Sequence, residues 1–136
     1  MDKTILSAPN TIVSNLGLEL LPPDGPCPEV VRASMPVDHR TCQPFGYLSG
    51  GASLALAETL AGYGSVLNLP EIMKPVGSSI TAQHVRPVPL GGSVHGTATL
   101  LHKGHTTHLW NVDIVDDEGR LISTARVLNQ IVQLTH

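Results

Sequence analysis

Aromatic residues are scarce in this chain, at 3% of 136 residues, too few to supply the stacking platforms that single-strand nucleic-acid binders use. Basic runs are absent and the net charge is −3, so the electrostatic footprint of a nucleic-acid groove is missing as well. Cysteine is nearly absent. Cys27 and Cys42 cannot build a disulfide scaffold, which makes a reduced, cytoplasmic setting the expectation. There is no CxxC and no histidine pair four residues apart, the spacing of zinc ligands on a helix, so neither a metal nor another cofactor is expected. The opening MDKTILSAPN is too short in apolar length for a signal peptide. The most apolar stretch, residues 52–67, is broken by Glu58 and two interior glycines, which argues against a membrane span.

What is present describes a compact chain. An apolar fraction of 41% against 14% charged residues suits a globular fold, and the length suits one domain over residues 1–136 with a real core. A short helix is expected from near Pro9, with Ile12, Val13 and Leu16 on one face, followed by an edge strand in LGLELL (16–21) that PPDGP stops. Residues 30–37 alternate Val31, Ala33 and Met35 against Arg32 and Ser34, as a strand does. Residues 50–69 read as the central helix. Four long strands then follow, at 76–88, 93–102, 106–115 and 121–134, with a turn at DDEG (116–119). The connections at 90–92 and 103–104 are short enough to join antiparallel neighbours. A helix that is apolar nearly all round must be covered, most simply by a curved antiparallel sheet wrapped about it, an α+β hotdog architecture.

The helix start carries the chemistry. Ser49 is an N-cap candidate, and the first-turn amides of Gly50, Gly51 and Ala52 lack intrahelical partners. Together with the helix dipole they suit a developing oxyanion, and two glycines let a carbonyl approach without a Cβ in the way. A plain glycine-rich loop before a helix fits the same residues. Glu58, the only carboxylate in the helix, follows about two turns later. In an apolar groove it suits a nucleophile or general base; paired with an arginine or at a subunit contact it would be structural. Gln43 adds an amide donor upstream. An amide donor, a backbone donor and an acid form the set that acyl transfer requires.

The segment MPVDHRTCQPFGYLSGGASLALAETLAG resembles the hotdog-fold thioesterases of the PaaI and hydroxybenzoyl-CoA thioesterase type. Similarity continues through GSSITAQHVRPV, LHKGHTTHLW and DDEGRLISTARV, and is strongest to members that act on aroyl-CoA or aroyl-carrier-protein thioesters. The resemblance implies that Glu58 is the nucleophile or general base, that the Gly50 amide polarises the thioester carbonyl, and that Gln43 sits beside it. It implies a site built across a homodimer interface, with dimers paired into a homotetramer. Substrate and CoA contacts are implied at Ser49, at Gly77, at His84, Val85, Arg86 and Pro87, and at His102, Lys103, Gly104, His105, Thr106 and Thr107. Arg86 and Lys103 can meet phosphates, and Thr106 and Thr107 offer hydroxyls; the histidines also fit ordinary half-buried sheet positions.

Two positions depart from the resemblance. Ser49 stands where relatives carry histidine, and Gly62 where they carry serine or threonine one turn after the acid. Thioester hydrolysis is the first reading because Gln43, Gly50 and Glu58 remain. A non-catalytic acyl-CoA binder or sensor is the alternative from another class. A hotdog dehydratase would want a histidine paired with its acid, and Ser49 denies the obvious one.

Overall fold

The structure, a computed structural model, describes residues 8–133. Its elements are α1 (Ile12–Asn15), β1 (Glu19–Leu20), β2 (Val30–Pro36), α2 (Gly50–Leu67), β3 (Met73–His84), β4 (Ser93–Lys103), β5 (Thr107–Asp116) and β6 (Leu121–Gln133). The six strands form one antiparallel sheet in the order β1-β2-β4-β5-β6-β3. This sheet curls around α2 and is the hotdog architecture. Position 134, expected to end the last strand, lies outside the described residues.

The alternation read from the sequence sets the inner face. Val31, Ala33 and Met35 of β2, Val94 and Ala98 of β4, Trp110, Val112 and Ile114 of β5, and Val127 of β6 are buried against Leu56, Ala57, Leu60 and Ala61 of α2. Burying a Leu- or Val-sized side chain contributes about 1.5–3 kcal/mol, so this single layer of helix on sheet accounts for most of the apolar driving force.

Two expectations are corrected. The strand expected at 76–88 runs instead as Met73–His84, because Pro87 and Pro89 have no N–H to give a ladder. The connection at 90–92 therefore makes no hairpin. β3 lies at the sheet edge beside β6, while β4 pairs with β2 and β5, and the segment 85–92 crosses between them. As one helix under a thin sheet requires, α2 is covered on one side only. Gly51 and Glu58 are exposed and Ala55, Gly62 and Val66 half-buried, so an apolar stripe with one carboxylate faces outward from the single chain. The β4–β5 hairpin and the turn after β5 do follow expectation: Gly104 N–H donates to the Thr107 carbonyl at 2.8 Å, and Gly119 N–H to that of Asp116 at 3.0 Å.

One polar cluster lies inside the core. Ser65 Oγ accepts from Trp110 Nε1 at 2.8 Å and from Asn129 Nδ2 at 3.1 Å, and lies 2.8 Å from His108 Nδ1. With both lone pairs occupied, the Ser65 hydroxyl proton is left for Nδ1, which suits a neutral imidazole. Burial, with the charges of Lys103 and His102 adding to it, holds the His108 pKa below its ordinary 6.5. The unfolded chain thus takes up a proton that the folded chain refuses. This contribution to stability is complete above pH 6.5 and is lost as pH falls through the folded-state pKa. The melting midpoint is expected to drop between about pH 7.5 and about pH 5.5, and the slope to flatten in His108→Asn, which keeps a group at the Nδ1 position but cannot titrate. Equal slopes in the two proteins would remove His108 as the cause.

Candidate active site

The crossing segment 85–92 is what builds the site. Leu48 N–H donates to the Val88 carbonyl at 2.8 Å and Leu90 N–H to that of Gly46 at 3.0 Å, so the loop before α2 is stitched to the segment after β3. The helix start is thereby brought under the end of β3. A cavity of about 250 Å³ opens there, lined by Leu48, Gly50, Ser53, His84, Val85, Arg86, Pro87, Ile122 and Ser123. The structure thus gathers Gly50 and the four residues 84–87 into one place.

The helix cap decides which amide is available. Ser49 Oγ accepts from Gly51 N–H at 3.2 Å, and the Ser49 carbonyl accepts from Ala52 and Ser53 at 3.1 and 3.2 Å. The expectation of three open amides is corrected accordingly: Gly50 alone keeps an N–H with no partner among the described residues. A side chain there would collide with the His84 ring, since a Cβ on Gly50 would lie 2.9 Å from both Nε2 and Cδ2. A larger residue at this position would have to displace that ring.

Glu58 is exposed and forms no ion pair with any described residue, which leaves the arginine-paired alternative without support. Its carboxyl lies against Gly77, where a Cβ would come within 3.1 Å of Glu58 Cδ. Gly77 in this chain is thus the floor beneath the acid. Gln43 is half-buried on the loop before α2, its side-chain oxygen accepting from the Phe45 N–H, which leaves the NH₂ end as donor.

The remaining expected contacts are not gathered here. His84 is level with Ser123 and Ile114 across the sheet, while Lys103 is level with His108, Asn129 and Gly77. Six or so residues of strand separate these rows, about 20 Å. Within one chain, His102, Lys103, Gly104, His105, Thr106 and Thr107 therefore stand at the opposite end of the sheet from Arg86. Sequence reasoning also passed over Ser53 and Ser123, both buried and both lining the cavity. A register shift between Ile114 and Val115 leaves Ile122 and Ser123 buried in succession, which a strict alternation cannot reveal. Among the described residues no three His, Cys, Asp or Glu side chains are grouped to hold a metal, and no helix is long and apolar enough to cross a membrane.

One long helix cupped by a curled antiparallel sheet, with an open glycine amide at its start and an acid two turns on, defines a hotdog-fold protein. Comparison with known proteins agrees. The thioesterase superfamily profile matches residues 45–123, and the chain belongs to that family. It is 40% identical to the proofreading thioesterase EntH of Klebsiella pneumoniae over 121 residues, 89% of this chain and 85% of that protein. A Pseudomonas aeruginosa thioesterase, solved as a glutamine-to-alanine mutant, superposes with a TM-score of 0.89 at 37% identity, covering 98% of this chain and 96% of the other. A Staphylococcus aureus relative has been solved with a glutamate replaced (TM-score 0.85, 33% identity, 91% of this chain, 100% of that one). The same relative, described as a thioesterase enzyme, has also been solved with a glutamine replaced (TM-score 0.82, 32% identity, 88% of this chain, 97% of that one). Those two positions are separated by the same number of residues as Gln43 and Glu58.

Proposed function

We propose that this thioester hydrolase acts on acyl-CoA, aroyl-CoA foremost, with the Gly50 amide polarising the carbonyl and Glu58 as nucleophile or general base. The observation that carries the reading is the Gly50 N–H, the one first-turn amide left without a described partner, opening onto a cavity that also holds His84 and Arg86. With Glu58 as base, the carboxylate takes a proton from water and the hydroxide adds to the carbonyl carbon. The C–S bond breaks, and the departing thiolate takes the proton from Glu58. With Glu58 as nucleophile, its oxygen adds, the thiolate leaves, and water cleaves the resulting anhydride. Gln43 stands by as a further amide donor. The glutamine and glutamate chosen for substitution in the Staphylococcus aureus relative support the same pair here.

Gly50 and Glu58 lie about 12 Å apart along one rigid helix. Direct attack needs about 3–3.5 Å between reacting atoms, a distance this separation does not offer. The exposed stripe of α2 and the open edge at β3 favour the remedy: a second copy brings its Glu58 to this Gly50, in a homodimer and on to a homotetramer. The same pairing would bring the 102–107 hairpin of one copy nearer the Arg86 of another. Sedimentation of an active, monodisperse monomer would contradict this. Both cysteines are unpaired, in keeping with the reducing cytoplasm. CoA and an acyl-carrier protein present the same pantetheine thioester, and Arg86 favours CoA because a nucleotide phosphate gives it a partner.

Arg86 is exposed on the cavity and in no ion pair with a described residue. Arg86→Ala is expected to raise KM for a CoA ester about tenfold, the size of a lost charge-assisted hydrogen bond, with little effect on an N-acetylcysteamine thioester that has no phosphates. Equal effects on both substrates would make Arg86 structural. The acyl preference is tested by a panel of aroyl-, phenylacetyl- and medium-chain acyl-CoAs followed with a thiol reagent. The highest kcat/KM is expected among the aroyl esters; an aliphatic optimum would overturn that assignment, and binding without release would favour a sensor.

A further inference from the structure

We propose that His84 is a second donor to the thioester carbonyl oxygen, and that Ser123 is the residue that positions it. The inference rests on the placement of that oxygen at the Gly50 amide. His84 ends β3 where β6 lies beside it, and the ring is gripped on one edge: Nδ1 lies 2.6 Å from Ser123 Oγ. Ser123 is 1% exposed, so its hydroxyl is held inside the fold, while the His84 ring stands exposed on the cavity. The opposite edge of the ring, carrying Nε2, faces Gly50, close enough that a Cβ on that glycine would lie 2.9 Å away. Nε2 has no partner among the described residues.

A neutral imidazole has one N–H, and its position follows from what the other nitrogen meets. When the Ser123 hydroxyl donates to Nδ1, the proton sits on Nε2 and is presented to the cavity beside the Gly50 N–H. Two donors of different origin then converge on one oxygen, and no proton need be transferred from the ring. A neutral imidazole donates its hydrogen bond at full strength without releasing a proton, which suits an electrophilic rather than an acid role. The register shift at Ile114 and Val115 is the structural device behind this: it leaves both Ile122 and Ser123 buried, so the serine reaches the ring. The arrangement also adds a side-chain donor near Ser49, whose oxygen accepts from the Gly51 amide at 3.2 Å.

The test compares His84→Ala, Ser123→Ala and Ser123→Thr on an aroyl-CoA and on the matching N-acetylcysteamine thioester. Removing an oxyanion donor costs about 10²–10³-fold in kcat, so His84→Ala should lose about a hundredfold on both substrates with KM little changed. A rise in KM confined to the CoA ester would mean that His84 binds CoA instead and would overturn the proposal. Ser123→Ala should lose about tenfold in kcat, since misplacing a catalytic group by about 1 Å costs up to about 10²-fold, and Ser123→Thr should recover most of it. The spectroscopic readout is the ¹⁵N signature of the His84 ring, which distinguishes the two neutral tautomers. Wild type should show the Nε2–H tautomer, and Ser123→Ala a mixture. An Nδ1–H tautomer in wild type overturns the proposal even if Ser123→Ala fails to fold. Turnover surviving Glu58→Gln would bring down the Glu58 role in the proposed site, on which this inference rests. Turnover lost there but kept in His84→Ala would bring down only this inference.

Discussion

Glu58→Gln is expected to lower kcat for thioester hydrolysis by on the order of 10²-fold or more, in a protein that keeps its fold. The amide has nearly the shape of the carboxylate but can neither add to a carbonyl nor take a proton from water. Retention of the fold follows from the surroundings of the acid. Its side chain is exposed, has no ion-pair partner among the described residues, and rests on the backbone of Gly77, which an amide can do equally well. Kinetics on the folded variant, with size and circular dichroism matched to wild type, checks the result. A folded variant turning over near the wild-type rate would end the role of Glu58.

The largest effect on stability is expected from Gly64→Ala. A Cβ at Gly64 would stand 2.4 Å from Trp110 Cη2 and 2.7 Å from Cζ2, closer than any real contact. The indole cannot simply step aside, because it is fully buried and its Nε1 is bonded to Ser65 Oγ at 2.8 Å. Overpacking of this kind costs about 1–3 kcal/mol, here at the upper end, and the better helix propensity of alanine returns about 1 kcal/mol. A net loss of about 2 kcal/mol lowers Tm by roughly 5–10 °C in a chain of this size. Gly62→Ala is the contrast. Beyond the helix's own backbone and its chain neighbours, no atom of the described residues lies within 4 Å of a Cβ there, so the single chain should gain from the substitution and only packing against a second copy should suffer. Thermal melts of the two variants, with sedimentation of the second, separate an internal close approach from an external one. An unchanged Tm in Gly64→Ala would contradict the packing described.

Much of this was legible in the sequence because it is local. Ser49 caps the helix it was expected to cap, and the alternating residues of β2, β4 and β5 face the core as their period of two requires. Glu58 stood out because a lone acid in GGASLALAETLAGYGSVLNL is expensive to bury unless it is paired, protonated or used. What escaped is non-local. The order of strands in the sheet decides that 85–92 crosses over the helix start rather than turning back as a hairpin, and no short window encodes that order. The capping geometry consumed two of three expected amides, a matter of hydrogen-bond direction rather than residue type. Ser123 was hidden by the local shift in register, which breaks the pattern used to assign inward residues. Gly62 and Gly64 look alike in the sequence, and only the position of Trp110 tells them apart.

The most direct test is to mix the purified wild-type chain with benzoyl-CoA in the presence of a thiol reagent and count the free thiol released per subunit. Many equivalents per subunit, against almost none from Glu58→Gln under the same conditions, is the predicted result. Saturable binding of benzoyl-CoA by the folded wild-type protein, with no thiol released from it or from any other acyl-CoA, would contradict hydrolysis at this site.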